Sequence, residues 1–358
     1  MSKTRPKLEL KQKIGKGSMG EVYLSNFQNS NEIYATKIID KKREDYSKLL
    51  KYINIEISLL KQFKHDNIIH LVDLRQTTST LYITMEYCNG GSLLHCLLKY
   101  MKLYKQPFSE EIVQYIMRQI VDGLKYIHKS YVIHRDIKLA NILVKFDTPE
   151  DEKKLNMMKS RIKISDFGIS IRGKNAKTII GSPEYMDPFI LEKYKNREDL
   201  KTDEAYDQSV DIWSLGVVCY LMLIGKKLFN GRDLDNFCKN VEIGNYYLPT
   251  NLSKEVISFI NGMLQYNPKD RLNIDELSRH HFLTRDIRNF HKINLDLLGS
   301  QVKGQKISIN TKDNKRIWDA FNEKEDLFNS IASRMFLEFD NEIRVPYLVP
   351  KSNHFMPH

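Results

Sequence analysis

Four cysteines are few for a chain of 358 residues, and none of them falls in a C-x-x-C pair or in a Cys/His cluster with zinc spacing. The sequence therefore indicates neither a disulfide framework nor a structural zinc site, and a reducing compartment fits it best. Long apolar runs are missing too. The longest, residues 212–225, is shorter than the roughly 18 to 20 residues of a membrane span, so we predict a buried core helix and no span.

The N-terminus also lacks an apolar segment of the kind found in secretory signals, which favours a cytoplasmic location. Positive charge is abundant, with a formal net charge of +11, and such an excess can point to nucleic acid. Lys and Arg are nevertheless scattered through the chain, and the densest block is only Lys41-Lys42-Arg43. We therefore expect a solvated basic surface and no nucleic-acid partner.

The hydrophobic pattern changes along the chain. Runs rich in Ile, Tyr, Thr and Val predict short strands at residues 8–15, 21–27, 32–40 and 81–87. Between them, apolar residues at spacings of three and four predict one helix from Tyr46 to Phe63. Helical periods dominate from Gly91 onward. This order predicts an α+β fold in which a small strand-rich lobe with one main helix precedes a larger helical lobe.

The stretch from about residue 286 to the C-terminus differs from both lobes. It begins without periodicity and then acquires apolar positions that fit one side of a helix: Ile317, Phe321, Phe328, Ile331, Met335 and Phe339. Two interpretations stay open, a tail helix packed on the main domain and a helix that binds a partner.

Residues 15–20 form a G-x-G-x-x-G pattern between two predicted strands. Glycine at such positions lets the backbone turn tightly and approach a phosphate closely. A dinucleotide-binding fold would require a helix to begin here, with an acidic residue about 20 residues further on. A second strand follows instead, and then Ala35-Thr36-Lys37. The loop and this strand lysine together indicate a different phosphate site.

Three further motifs follow in order. Glu56 lies 19 residues after Lys37 in the predicted helix, His134-Arg135-Asp136 opens a run that ends at Asn141, and Asp166-Phe167-Gly168 comes later. A chain with these motifs in this order resembles the eukaryotic protein kinase superfamily. The resemblance covers about residues 8–285, with an N-lobe at about 8–88 and a C-lobe at about 89–285, and leaves 286–358 as a C-terminal extension of unknown role.

The resemblance implies a phosphotransferase that uses ATP and Mg²⁺. In such an enzyme Lys37 would hold the α- and β-phosphates and Glu56 would orient its ammonium group. Asp136 would accept or orient the substrate hydroxyl, while Lys138 would steady the transferring group. Lys138 stands two residues after Asp136, which is the serine/threonine pattern, so the expected partners are ATP and proteins with Ser or Thr acceptors.

The resemblance also implies ligands for the nucleotide and the metal. Asn141 and Asp166 would supply oxygen ligands to Mg²⁺. The implied nucleotide-binding residues are Ile14, Gly15, Gly17, Gly20, Val22, Ala35, Lys37, Met85, Glu86, Cys88 and Leu143.

An arginine before the catalytic aspartate is typical of family members that are activated by a phosphate in the activation segment, here Asp166 to Pro188. Ser170, Thr178 and Ser182 lie in this segment, and Ser182 matches a structural position, so Thr178 is the predicted acceptor with Arg135 as its partner. The insertion at residues 147–161, interpreted as a solvated hairpin loop, and residues 178–186 resemble the autophagy-initiating, Unc-51-like group.

One departure from the family pattern bears on activity. Where the family has Ala-Pro-Glu, this chain has Asp187-Pro188-Phe189, so the carboxylate that normally pairs with a buried arginine, here Arg271, is missing. Because an unpaired buried arginine is costly, we expect a substitute partner or exposure. The departure leaves a pseudokinase or scaffolding module as the alternative, although Lys37, Asp136 and Asp166 all favour an active enzyme.

Substrate choice is the last expectation. The positions at which basophilic family members carry carboxylates that read arginine are Ser92, Ala140 and Leu221 in this chain. None of the three can pair with a guanidinium, so acceptors with apolar or neutral neighbours are predicted to be preferred.

Overall fold

A computed structural model describes residues 5–17, 19–198, 204–244 and 246–286 of the chain. The helix and the partner predicted for the C-terminal extension lie outside these residues. The domain boundary predicted at residue 285 stays a prediction.

The N-terminal lobe is built on a five-stranded antiparallel sheet in the order β1-β2-β3-β5-β4. Its strands are β1 (Leu8–Lys16), β2 (Glu21–Phe27), β3 (Tyr34–Asp40), β4 (Leu71–Gln76) and β5 (Thr80–Glu86). The strand β4 was not predicted. Among the described residues it pairs only with β5, at the edge of the sheet, and its burial does not alternate regularly.

Helix α1 (Tyr46–Gln62) lies between β3 and β4 in the sequence. Its buried residues, Leu49, Ile53, Glu56, Leu59 and Leu60, recur at helical spacing and form one face. Four of them are apolar and belong to the core. The fifth, Glu56, brings a carboxylate into that buried face, which requires a partner.

The C-terminal lobe is mainly helical, as predicted. Its helices are α2 (Leu93–Tyr104), α3 (Glu110–Lys129), α4 (Pro149–Lys154), α5 (Pro188–Asn196), α6 (Ser209–Ile224), α7 (Leu234–Ile243), α8 (Lys254–Met263), α9 (Ile274–Arg279) and α10 (His281–Thr284). Its short strands are β6 (Gly91–Ser92), β7 (Val132–Ile133), β8 (Ile142–Phe146), β9 (Ser160–Ile164) and β10 (Ile171–Arg172). The α+β order predicted from the sequence is confirmed.

The apolar run predicted to be a core helix is α6, and every residue from Val210 to Leu223 is buried. Gly225 ends the helix in the left-handed conformation at φ 68°, which glycine adopts without strain. Within the described part of the chain, no helix is both long and apolar enough to cross a bilayer.

The interpretation of residues 147–161 as a solvated loop is wrong. This insertion contains α4, which Thr148 caps by accepting a hydrogen bond from Asp151 N at 3.1 Å. Leu155 and Met157 are buried beside it. The insertion packs because its apolar residues reach the core and because Glu152 accepts a hydrogen bond from Asn89 Nδ2 at 2.9 Å.

Candidate active site

Lys37 and Glu56 form a two-pronged ion pair between the sheet and α1. Lys37 Nζ lies 2.9 Å from Glu56 Oε1 and 2.8 Å from Glu56 Oε2, and the two side chains are 11% and 3% exposed. Burial raises the pKa of the Glu56 carboxyl; the nearby charge of Asp166 also raises it, while Lys37 opposes both. The pair therefore fixes an ammonium group at the inner face of the sheet.

The glycine loop turns tightly between β1 and β2. Gly17 N donates to Gly20 O at 2.8 Å, and a Cβ on Gly20 would lie 2.1 Å from Ile38 O, so only glycine fits there. A Cβ on Gly15 or Gly17 would meet nothing closer than 3.8 Å. A side chain at Gly15 or Gly17 would thus begin with ordinary van der Waals contacts, in contrast to one at Gly20.

Met19 is a residue at this loop that the sequence reasoning missed. It is only 6% exposed, and a Cβ on Gly168 would lie 2.1 Å from Met19 Cε. The tip of the glycine loop therefore packs directly on the Asp166-Phe167-Gly168 triplet. An apolar residue inside a glycine-rich motif was the available signal.

The Asp136 carboxylate is held by three neighbouring side chains. Asn141 Nδ2 donates to Asp136 Oδ2 at 2.7 Å, Lys138 Nζ lies 3.0 Å from the same oxygen, and Ser182 Oγ donates to Asp136 Oδ1 at 3.0 Å. Lys138 Nζ also donates to Ser182 Oγ at 2.8 Å. The three neighbours therefore hold the carboxylate in one position.

Asp166 and Asn141 are linked through Ser165, the residue that directly precedes Asp166. Ser165 donates to Asn141 O from its backbone N at 2.9 Å and from Oγ at 2.7 Å. Asp166 adopts a left-handed backbone at φ 62°, which is uncommon for a residue with a side chain and is concentrated at functional sites. Phe167 anchors this turn, since it is fully buried with its ring centroid 5.3 Å from that of Phe63.

The candidate nucleotide residues come from both lobes. In the sheet, Val22 pairs with Lys37 and Ala35 pairs with Met85, which places these positions on adjacent strands. Ile14 on β1 is 43% exposed. Of the remaining positions, Glu86 is the last residue of β5, Cys88 lies on the connection after β5, and Leu143 lies on β8.

An ion-pair cluster supports the connection between the lobes. The Glu86 carboxylate lies 2.8 Å from Lys163 Nζ and 3.3 Å from Lys145 Nζ, and it accepts a hydrogen bond from His70 N at 3.0 Å. Burial alone would raise the pKa of Glu86, but these partners outweigh it and lower the pKa. Sequence reasoning did not find this role for Lys163.

Arg135 contacts the unmodified hydroxyl of Thr178. Arg135 Nη1 donates to Thr178 Oγ1, and Arg135 Nε donates to Ile169 O at 2.6 Å. Arg135 itself has a left-handed backbone at φ 70° and is anchored by a 2.8 Å bond from its N–H to Asp211 Oδ1. The fully buried Ser170, in contrast, donates to His134 O and has no accessible hydroxyl.

The substitute partner expected for Arg271 is Asp187. Arg271 Nη1 contacts Asp187 Oδ2, and both side chains are 1% exposed. Asp187 also caps α5 by accepting from Phe189 N at 2.9 Å. The carboxylate that the family places at the position of Phe189 is therefore supplied two residues earlier.

Most of the chain matches one known protein family. The family described as "Protein kinase domain" matches residues 8–283. The chain is 33% identical over 293 residues to calcium-dependent protein kinase 5 of Plasmodium berghei (strain Anka), covering 80% of this chain and 47% of that protein. It is 32% identical over 286 residues to the probable serine/threonine-protein kinase fhkC of Dictyostelium discoideum, covering 78% and 44%.

A third relative is serine/threonine-protein kinase PLK4 of Xenopus laevis, 30% identical over 275 residues that cover 76% of this chain and 26% of that protein. The chain thus spans less than half the length of the relatives named here. Its kinase match extends over most of its own length. The chain belongs to the eukaryotic protein kinase superfamily and is of the serine/threonine type.

Proposed function

We propose that this chain transfers the γ-phosphoryl group of ATP to serine and threonine hydroxyls of proteins. The single observation that carries the proposal is the formed Lys37–Glu56 ion pair, at 2.8 Å, in the same structure as the ordered Asp136 carboxylate. Phosphoryl transfer needs little covalent help, so positioning and charge neutralisation account for most of its catalysis. The site supplies both.

In this proposal Lys37 binds the α- and β-phosphates. Glu56 keeps the ammonium group from folding back toward solvent, because both of its oxygens contact Lys37 Nζ. The absence of a Cβ at Gly15 and Gly17 lets phosphate oxygens approach the backbone of the loop closely. Adenine would lie between the N-lobe side chains and the C-lobe: Ile14, Val22, Ala35, Met85 and Leu143, with backbone contacts from Glu86 and Cys88.

Asp166 and Asn141 fit a magnesium ion as its protein ligands. Both carry hard oxygen donors, and the 2.7 Å and 2.9 Å bonds through Ser165 keep them near each other. Among the described residues no three His, Cys, Asp or Glu side chains cluster as a complete metal cage. That agrees with an ion that takes its other ligands from phosphate and water. Mg²⁺, when bound, would offset the negative charge of the phosphates.

Asp136 would orient the acceptor hydroxyl and take its proton. Asn141, Lys138 and Ser182 hold the carboxylate so that it does not need to reorganise during the reaction. Lys138 lies 3.0 Å from that carboxylate and would neutralise charge on the transferring group. Asp136 and Lys138 therefore already occupy fixed positions in the absence of substrate.

We infer that phosphate on Thr178 raises activity. The hydroxyl already contacts Arg135, so a phosphate with a charge of about −1.5 to −2 would form a charge-assisted pair there. Since Arg135 precedes Asp136 directly, this pair would further fix the run from His134 to Asn141. The weaker resemblance to the Unc-51-like group and the cytoplasmic location stay predictions.

The acceptor specificity tests the proposal. The full chain is incubated with Mg-ATP and peptide sets that differ only in Ser, Thr or Tyr at the acceptor position, and incorporated phosphate is located by mass spectrometry. Phosphate on Ser and Thr but not on Tyr is the expected result. No incorporation into any peptide would favour the pseudokinase alternative.

A further inference from the structure

Tyr206 binds the activation segment from outside it. The side chain is 7% exposed, and its hydroxyl donates to the main-chain carbonyl of Thr178 at 2.6 Å. The same hydroxyl accepts a 3.3 Å hydrogen bond from Arg135 Nη1, which also donates to Thr178 Oγ1. One phenol thus contacts both the predicted phosphate acceptor and the predicted phosphate ligand.

The backbone of Tyr206 makes a second, independent contact. Ala176 N donates to Tyr206 O at 2.7 Å, and Tyr206 N donates to Ala176 O at 3.0 Å, which forms an isolated antiparallel bridge. Ala176 is 1% exposed. The segment is therefore fixed two residues before Thr178 by backbone bonds and at Thr178 itself by the phenol.

Two other contacts hold the ends of the same stretch. Strand β10 pairs with β7 before Ala176, and Ser182 contacts Lys138 and Asp136 after Thr178. Between these ends, Arg135 also contacts Thr178 through its side chain, and Ile179 packs against the core. Because the phenol bonds to a carbonyl, its contact does not depend on the Thr178 side chain or on phosphate.

We propose that Tyr206 is a positioning residue that keeps the activation segment ordered before Thr178 is phosphorylated. The inference rests on the proposed kinase function, since order in this segment matters through Arg135 and Asp136. It implies that unphosphorylated protein has basal activity, and that the phosphate adds to a segment already in place. Loss of the phenol should therefore weaken the unphosphorylated enzyme more than the phosphorylated one.

The test uses the full chain as wild type, Tyr206→Phe, Thr178→Ala and the double variant, each treated with phosphatase and checked by intact mass. Wild type and Tyr206→Phe are also prepared with phosphate on Thr178, again checked by mass. Tyr220→Phe is the matched control, because Tyr220 is 4% exposed and its hydroxyl donates to another main-chain carbonyl, Tyr247 O, at 3.1 Å. Hydrogen exchange of peptides covering residues 174–180 and kcat/KM are measured for each.

We expect Tyr206→Phe to speed exchange in residues 174–180 by about threefold to tenfold, the factor that one net hydrogen bond supplies. The unphosphorylated kcat/KM should fall by a similar factor, equally in the Thr178 and the Thr178→Ala backgrounds. Phosphorylated Tyr206→Phe should recover most of the loss, and Tyr220→Phe should match wild type in this peptide.

Exchange in Tyr206→Phe that equals wild type, or that equals Tyr220→Phe, would overturn the proposal. So would a loss of kcat/KM that is the same with and without phosphate on Thr178. A wild-type chain with no phosphotransfer would instead contradict the proposed function, and the exchange measurement would still decide whether Tyr206 orders the segment.

Discussion

Asp187 and Arg271 form an ion pair in which both side chains are 1% exposed, although the two residues are 84 positions apart in the sequence. Arg271 also donates to Gln265 O at 2.7 Å and to Ser209 O at 3.0 Å, and its guanidinium lies 5.1 Å from the Trp213 ring centroid. The pair thus joins the end of the activation segment to α6 and to the turn before α9. It removes the structural ground for expecting an inactive chain.

The first prediction concerns this pair. Asp187→Ala should lower the free energy of unfolding by about 3 to 5 kcal/mol, because it leaves a buried guanidinium without its counter-charge. Chemical denaturation at neutral pH measures the change. Lys195→Ala, which breaks an exposed pair with Asp235 at 3.1 Å, is the control and should cost about 1 kcal/mol or less.

A carboxylate at position 189, where the family has glutamate, should compensate for part of the stability that Asp187→Ala loses. The double variant Asp187→Ala with Phe189→Glu returns the acid to the third residue of the motif, and we expect it to regain part of the lost stability. A cost below about 1 kcal/mol for Asp187→Ala alone would show that the pair does not support the segment.

The second prediction concerns charge at the phosphates. Lys37→Met and Asp166→Ala should each reduce phosphotransfer by a hundredfold or more while the protein stays folded, because each removes a preorganised electrostatic contact. Lys41→Met is the matched control, since Lys41 Nζ donates to Gln76 Oε1 at 2.9 Å on the neighbouring surface. Near-normal turnover in either test variant would contradict the assigned roles.

The third prediction is a pH dependence that arises from Glu56. Burial raises its pKa, so on acidification the neutral form accumulates at a higher pH than for an ordinary carboxyl. The neutral form loses the ion pair with Lys37, and kcat/KM should fall as the pH decreases. The side chain in Glu56→Gln cannot titrate. This variant should be less active than wild type, and its kcat/KM should lack the fall on acidification that protonation of Glu56 causes.

Measurement of kcat/KM for wild type and Glu56→Gln in the same buffers between pH 5 and 8 separates this effect from titration of ATP. The ratio of wild type to variant should decrease toward low pH. A ratio that stays constant over the whole range would show that Glu56 remains ionised and that its pKa is not raised enough to matter.

The fourth prediction concerns peptide choice. Ala140 is exposed, Leu221 is 6% exposed and Ser92 caps α2, accepting from His95 N, so these positions offer no carboxylate to an arginine. We expect peptides with apolar or neutral residues before the acceptor to be phosphorylated faster than peptides with arginines there. A positional-scanning library checks this, and a strong preference for Arg two or three residues before the acceptor would refute it.

Much of the site could be predicted because its residues lie in local motifs. The periodicity of α1 placed Glu56 on a buried face, and the observed helix ends within one residue of the predicted one. Lys37 followed from its place on the second strand after the glycine loop. These features depend on short-range patterns, which hydrophobic spacing and motif order capture well.

Other features depend on long-range contacts or on missed local cues. The sequence could indicate that Arg271 needs a partner, but only packing identified Asp187. Tyr206 reaches Thr178 across 28 residues and belongs to no motif. The insertion helix α4, in contrast, was predictable, since Thr148 followed by Pro149 is a typical helix start.

The most direct test of the kinase assignment separates binding from transfer with one substitution. Asp136→Asn keeps the shape of the side chain and leaves Lys37, Glu56 and Asp166 untouched, so it should bind Mg-ATP with wild-type affinity. Transfer of phosphate to a serine peptide is then measured for both proteins under saturating Mg-ATP. We predict clear transfer by wild type and a loss of a hundredfold or more in Asp136→Asn; equal transfer by both proteins, or none by wild type, would contradict the assignment.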